Sequence, residues 1–196
     1  IPPAGAMDAD ALTSGQYLLG HSADEAAIEM AYGNLVASPT EPCHIAVTGA
    51  AVDVRINGIS ARMHTVLRVE AGQQIQITPG AAGVYSYLHV DGGINTSEIL
   101  GSRSTSAREG VGGFDGRRLM NGDCLPLGEP NEPPSNRAGD LTHTPPGDLI
   151  RLRFVPGFQY ALMQPDVIAA LCENDFVVTP KANRMGAQLE GSRLDT

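Results

Sequence analysis

The chain has 196 residues, 42% hydrophobic and 18% charged, with a formal net charge of −9, so a buried core is attainable without disulfide staples. The acidity excludes wrapping of nucleic acid, which needs a basic face to neutralise phosphates, and docking on an anionic membrane surface. No apolar run of about 18 residues reads as a membrane-spanning helix.

In chain order, the first predicted element is a helix over 8–19, DADALTSGQYLL, with Asp8 as its cap and Gly20 as its stop; Gly15 weakens the pattern from inside. Asp8 reads as a helix cap rather than a catalytic acid. From about 27 to 92 the texture changes to short alternating runs punctuated by glycine, which predicts a mostly antiparallel β region. Asn57-Gly58, flanked by VDVRI and ISARM, is a strong hairpin signal. His44 and His89 fall inside strand patterns and read as packed or edge histidines. A triad assembled from His89, Ser104 and Asp91 carries no weight, because any chain of this size offers one.

Residues 92–123 break the alternation and read as loop. The stretch 129–147, EPNEPPSNRAGDLTHTPPG, holds five prolines among polar residues and reads as a linker or long surface loop. It divides a first β-rich lobe, 1–128, from the start of a second, 148–196. In the second, LIRLRFVPG predicts a strand, PDVIAALCEN a helix with Pro165 in its first turn, and DFVVTP another strand.

Cys43, Cys124 and Cys172 are odd in number, widely separated and lack a CxxC pair, so neither a zinc knuckle nor a redox pair is expected. The expectation is three free, buried thiols in a reducing cytoplasm. No secretory leader is visible, although the opening IPPAGAMD looks like a chain entered part-way. The histidines show no metal-ligand spacing, and no P-loop, dinucleotide fingerprint or GxSxG elbow is present. Lys181 is the one lysine against twelve arginines, so nearly every cation is a planar fork suited to bidentate carboxylate or phosphate pairing.

The chemistry concentrates in LGSRSTSAREGVGGFDGRRL, residues 100–119. Its glycines permit positive φ and close approach of another molecule to the backbone, and successive exposed N–H groups make an anion nest. Arg103, Arg108, Arg117 and Arg118 supply fixed charge, and Ser102, Ser104, Thr105 and Ser106 supply short hydroxyl donors. One reading is a cradle for a carboxylate, carboxamide or phosphate oxygen. The other is a long loop whose arginines pair with Asp115, Asp123 and Glu109 while its glycines make tight turns. The sequence leaves both open.

GGINTSEILGSRSTSAREGVGGFDGRRLMNGDCL, residues 92–125, resembles the C component of the bacterial 5-oxoprolinases. That family is also known as the biotin-dependent carboxyltransferase A/B domain or allophanate hydrolase subunit 2 family. GAMD at 5–8, RLRFVPG at 151–157 and NRMGAQLEG at 183–191 resemble further motifs of that family in the same order. The resemblance implies a mainly β fold with a few short helices, in cyclophilin-like β-barrel lobes of which the second is incomplete here. It implies one component of an ATP-dependent 5-oxoprolinase, an amide or lactam hydrolase active only with partners. Those partners are a B component of similar, cyclophilin-like fold and a third, A component, which together open 5-oxoproline to glutamate. ATP is handled by the partners, and no cofactor by this chain. A carboxyltransferase component of a urea carboxylase-type enzyme and a non-catalytic regulatory partner of the B component are the alternatives.

Carried over residue by residue, the resemblance implies catalytic roles for Arg103, Ser104 and Thr105 and substrate binding by Ser102, Arg117 and Arg184. Gly113, Phe114, Gly116 and Leu119, with Met185 and Gly186, complete the matched motifs, and the glycines and Leu119 are expected to be structural. Ala187 and Gln188 depart from the family pattern, which has a tyrosine-like residue and then arginine after RMG. The family also continues past the position of Thr196 with a stretch that completes the second lobe.

Overall fold

A computed structural model describes residues 4–22, 25–130, 151–181 and 186–192. The chain forms two compact units, Ile1–Pro145 and Pro146–Thr196. The Pro-rich stretch 129–147 falls almost wholly outside the described residues, as does the Arg184-Met185 pair.

The first unit opens with helix α1, Ala9–Leu19. Asp8 caps it, its carboxylate accepting the Ala11 N–H at 2.9 Å. Gly20 ends it in a left-handed turn at φ 72°, and the His21 N–H reaches back to the Gln16 carbonyl at 2.8 Å. This is a Schellman closure, which only a residue tolerant of positive φ completes without strain.

Eight strands follow: β1 Ile28–Ala31, β2 Leu35–Ala37, β3 Cys43–Gly49, β4 Val52–Ile56, β5 Ile59–Ala61, β6 Leu67–Val69, β7 Ile75–Pro79 and β8 Tyr85–Val90. They make two four-stranded antiparallel sheets, ordered β1-β8-β3-β6 and β2-β7-β4-β5. The Asn57-Gly58 hairpin joins β4 to β5 with both residues at positive φ, 49° and 79°, the two-residue turn whose twist suits the flanking strands.

The side-chain alternation of β3 sets the layering. Cys43, Ile45 and Val47 point into a core shared with Leu88 and Val90 of the same sheet and with Val54, Ile75 and Ile77 of the other. On the opposite face, Ala46 packs against Leu18 and Leu19 of α1. The central sheet is therefore covered on both sides, by the helix and by the second sheet. The mainly β class expected from the sequence holds. The two sheets pack face to face and are not closed into a barrel.

The second unit holds a 3-10 turn at Phe158–Leu162, helix α2 at Pro165–Glu173, and strands β9, Phe176–Val178, and β10, Leu189–Gly191, paired antiparallel. The helix and the strand at DFVVTP stand where expected. The strand expected at LIRLRFVPG does not form over 151–157. Leu152, Phe154 and Val155 there are exposed, and an alternating run becomes a strand only where another strand offers it hydrogen bonds. The thiols also differ from expectation. All three are free, but Cys124 and Cys172 are exposed and only Cys43 is buried. Cys124 follows the turn at Asp123, and α2 buries only Val167.

Candidate active site

The Gly/Arg loop leaves the end of β8 and runs to Gly128. Its base is pinned by Ile94, which bridges to Ala26 on one side and Leu127 on the other. Two small bridges, Ile99 to Ser102 and Ser106 to Val111, shape its interior. Gly112 and Gly113 lie flat against residues 104–105. A Cβ at Gly113 would fall on the Thr105 hydroxyl, and one at Gly112 on the Ser104 carbonyl. Both glycines have positive φ, 75° and 54°, so the doublet meets a steric and a conformational requirement together.

The candidate side chains divide into two groups. Ser102, Arg103, Ser104 and Thr105 stand in one run at the loop's entrance, where the structure joins the side chains of Ser102 and Ser104. The Ser104 N–H donates to Ser102 Oγ at 3.1 Å, and Ser102 Oγ donates to Ser104 Oγ at 3.0 Å. Arg103 donates from Nη1 to the Thr96 carbonyl, and no acid pairs with it among the described residues.

Arg117 belongs to the loop's exit. Its two terminal nitrogens each meet a carboxylate oxygen of Asp123 at 2.8 Å, with Asp115 at 3.7 Å. Its guanidinium lies 5.2 Å from the Phe114 ring centroid. The pairing holds Asp123 down at a pKa of about 2, with the Met120 N–H adding to the effect. Arg108 sits 3.8 Å from Glu109. Pairings with Asp115, Asp123 and Glu109 are those of the loop's structural reading, so Arg117 fastens the loop, while Arg103 meets no acid among the described residues. Asp123→Ala is expected to release both Arg117 and the Met120 amide. Faster hydrogen exchange at Met120 and quicker proteolytic nicking across 115–123 would show it; unchanged rates would mean the pair is not what closes the loop.

A further group was only partly legible in the sequence: His89 stands packed, as its strand pattern suggested, but the polar cluster around it was not foreseen. It lies on the α1-facing side of the central sheet, where an apolar face is usual, and it is polar. Tyr87 donates to Glu29 Oε2 at 2.8 Å and accepts the Asp8 N–H at 2.8 Å, which ties the GAMD segment to β1 and β8. Burial raises the Tyr87 pKa. Next on that face is His89, with a relative exposure of 0%. Thr48 spends its hydroxyl proton on the Ala11 carbonyl at 2.7 Å, so it accepts from His89 Nε2 at 3.3 Å. That assigns the neutral Nε2–H tautomer and leaves Nδ1 without a hydrogen-bond partner. His21 stands beside it, ring centroids 6.4 Å apart, with Glu25 at 3.2 Å. Burial lowers the His21 pKa against the pull of Glu25 and Asp91.

The same face ends in Asp91, whose Oδ2 lies 3.1 Å from His44 Nδ1. The signal was in the period of β8: Tyr87, His89 and Asp91 alternate with Leu88 and Val90. His89, Ser104 and Asp91 do not form a triad, since His89 bonds Thr48 and Asp91 bonds His44. Among the described residues no three His, Cys, Asp or Glu side chains group as a metal site, and no helix is long and apolar enough to cross a membrane.

The family model for the carboxyltransferase domain, subdomain A and B, matches residues 1–196. The chain belongs to that family. Among curated proteins, this carboxyltransferase domain is 31% identical over 194 residues to the C component of 5-oxoprolinase from Escherichia coli (strain K12), covering 99% of the chain and 62% of that protein. It is 28% identical over 207 residues to urea amidolyase of Lachancea kluyveri, covering 98% of the chain and 11% of that protein. The crystal structure of Kluyveromyces lactis urea carboxylase matches with a TM-score of 0.79 at 25% identity, over 98% of this chain and 18% of that one. The carboxyltransferase domain therefore spans less than two thirds of the length of these relatives.

Proposed function

We propose that this carboxyltransferase-family chain works as the C component of an ATP-dependent 5-oxoprolinase, helping to open 5-oxoproline to glutamate with partner A and B components. In this reading ATP is bound by the partners, the chain binds no cofactor of its own, and the complex is cytoplasmic. The observation that carries the reading is the entrance run. Arg103 has no acid partner among the described residues and stands in one run with Ser102, Ser104 and Thr105. Such a set suits the anionic end of a small lactam and the charge that develops on its carbonyl oxygen. Arg103, Ser104 and Thr105 are assigned the catalytic contacts and Ser102 substrate binding. Arg184 keeps its assignment from the motif match. Arg117, with both terminal nitrogens on Asp123, acts on substrate binding by fixing the loop.

The likeness to the C component of 5-oxoprolinase over 99% of the chain supports the substrate class. Similarity to urea amidolyase favours the second reading, a carboxyltransferase component acting on urea or a related amide. The third reading, a regulatory partner of the B component, predicts a stable complex without turnover.

The test is ATP- and 5-oxoproline-dependent glutamate release by the chain mixed with its cognate A and B components. Arg103→Ala in that complex is expected to lower kcat by about 10²-fold, as loss of one preorganised donor does. Undiminished glutamate release by the variant would overturn the assignment of Arg103. Absence of release by the unaltered complex would overturn the 5-oxoprolinase reading.

A further inference from the structure

Two tight turns of the first unit have nearly the same φ angles and opposite chemistry. Asn57-Gly58, between β4 and β5, has φ 49° and 79°. Leu100-Gly101, in the Gly/Arg loop, has φ 54° and 73°. It is closed by Ile99 and Ser102, whose N–H groups each donate to the other's carbonyl, at 2.9 and 3.1 Å. A two-residue turn with both residues at positive φ favours Asn-Gly, because asparagine tolerates the left-handed region and a bulky leucine does not. Both tips stand in open space: a Cβ on Gly58 or on Gly101 would meet nothing within 4 Å.

Leu100 is 83% exposed, and Ile99 beside it is exposed too. An exposed leucine is ordinary by itself. This one is also held in a conformation that disfavours it, and its exposure leaves little packing within the chain to offset that strain. The charge of the tip is unlike that of the whole chain. Residues 99–108, ILGSRSTSAR, hold two arginines and no acid, between Glu98 and Glu109, in a chain of net charge −9. Arg103 rests on the Thr96 carbonyl. Arg108 is 77% exposed, with Glu109 at 3.8 Å. A surface rimmed by carboxylates is repelled by the chain as a whole and attracted to this run, which orients its approach.

We propose that Leu100 is the anchor for a protein partner, entering an apolar socket rimmed by carboxylates on the B component, with Arg108 facing the rim. The proposal rests on the partner reading above. It accounts for both oddities of the turn: a leucine that must project cannot be packed at home, and the left-handed backbone puts it at the apex. A socket that fixes Leu100 also fixes Ser102, through the paired hydrogen bonds with Ile99, so seating the anchor orders the start of the candidate run.

The test is binding of the purified chain to its cognate B component, followed by surface plasmon resonance at several salt concentrations. Leu100→Asn gives the turn the residue it prefers, so the Tm of the chain alone is expected to be no lower than that of the parent. Its Kd for the B component is expected to rise about 30-fold, the effect of losing one hot-spot side chain, mostly through faster dissociation. Arg108→Ala is expected to slow association and flatten its salt dependence with little change in dissociation. Unchanged affinity of Leu100→Asn overturns the proposal and leaves the partner reading intact. So does a lowered Tm, which would place the leucine's contacts within the chain. Failure of the unaltered chain to bind the B component removes the partner reading and the proposal with it. Two other occupants have their own signatures, and either overturns the proposal. Self-association of the chain alone, lost in Leu100→Asn, would seat a second copy on the tip. A raised KM for 5-oxoproline in a complex that assembles normally would put the leucine against substrate.

Discussion

Taking the protein from pH 7 to pH 4 is expected to cost it roughly 3 kcal/mol of folding stability through His89 alone. In the unfolded chain a histidine takes its proton near 6.5. In the folded protein burial, and then the neighbouring His21, hold His89 neutral down to about 3. Above the unfolded value both states are neutral and the contribution is whole. Between that value and about 3 the unfolded chain binds a proton that the folded one refuses, so stability falls by about 1.4 kcal/mol for each pH unit. His21, also lowered by burial, adds in the same direction. Asp123 adds little within this window: the stability tied to its depressed pKa of about 2 is lost as pH falls from the ordinary aspartate range toward that value, so most of the loss comes below pH 4.

Urea unfolding followed by circular dichroism at pH 7, 5.5 and 4 measures the slope. His89→Gln keeps a donor for Thr48 and cannot titrate, so its curve is expected to be flatter by that amount. A variant as acid-sensitive as the parent would mean that other groups carry the effect. The expected route of failure is local, because His89 and Thr48 link the central sheet to α1 through the Ala11 carbonyl.

Helix α1 was legible because its ends are chemical: a carboxylate before the first turn and a glycine after the last. The β region was legible through period-two alternation, and Asn57-Gly58 named its own turn. What escaped has physical causes. His89 was legible as a packed histidine, but Tyr87 and Asp91 beside it look like the wet side of a strand, and nothing in β8 says that a helix will cover that face. That cover becomes visible only with Thr48 and Gly15, from elements far away in sequence. The run at 151–157 failed in the opposite sense, since alternation records what a strand could bury and not whether a partner edge exists. In the Gly/Arg loop, residue types permitted both an anion cradle and a self-paired loop. Arg117 and Asp123 lie close in sequence, yet only the fold of the loop decides that their fork and carboxylate meet.

Gly15 joins these threads, and its replacement is the sharpest stability test. In the middle of a helix glycine costs about 1 kcal/mol relative to alanine, so Gly15→Ala should stabilise α1 if the position were merely tolerated. Here a Cβ at Gly15 would land on Cδ2 and Nε2 of the His89 ring, which is fully buried and has no room to retreat. The substitution is therefore expected to destabilise by about 1–3 kcal/mol, the cost of overpacking a close-packed core. His89→Ala alone should also destabilise, by opening a void beneath α1. Together the two are expected to be less harmful than their sum, because the new methyl enters the space the ring leaves and the helix gains a better residue. A coupling of at least about 1 kcal/mol in the double-mutant cycle would show it. Additive losses would mean that Gly15 is set by something other than the ring. Recovery would show that a glycine disfavoured by helix propensity stands there because a buried imidazole occupies the volume of its side chain.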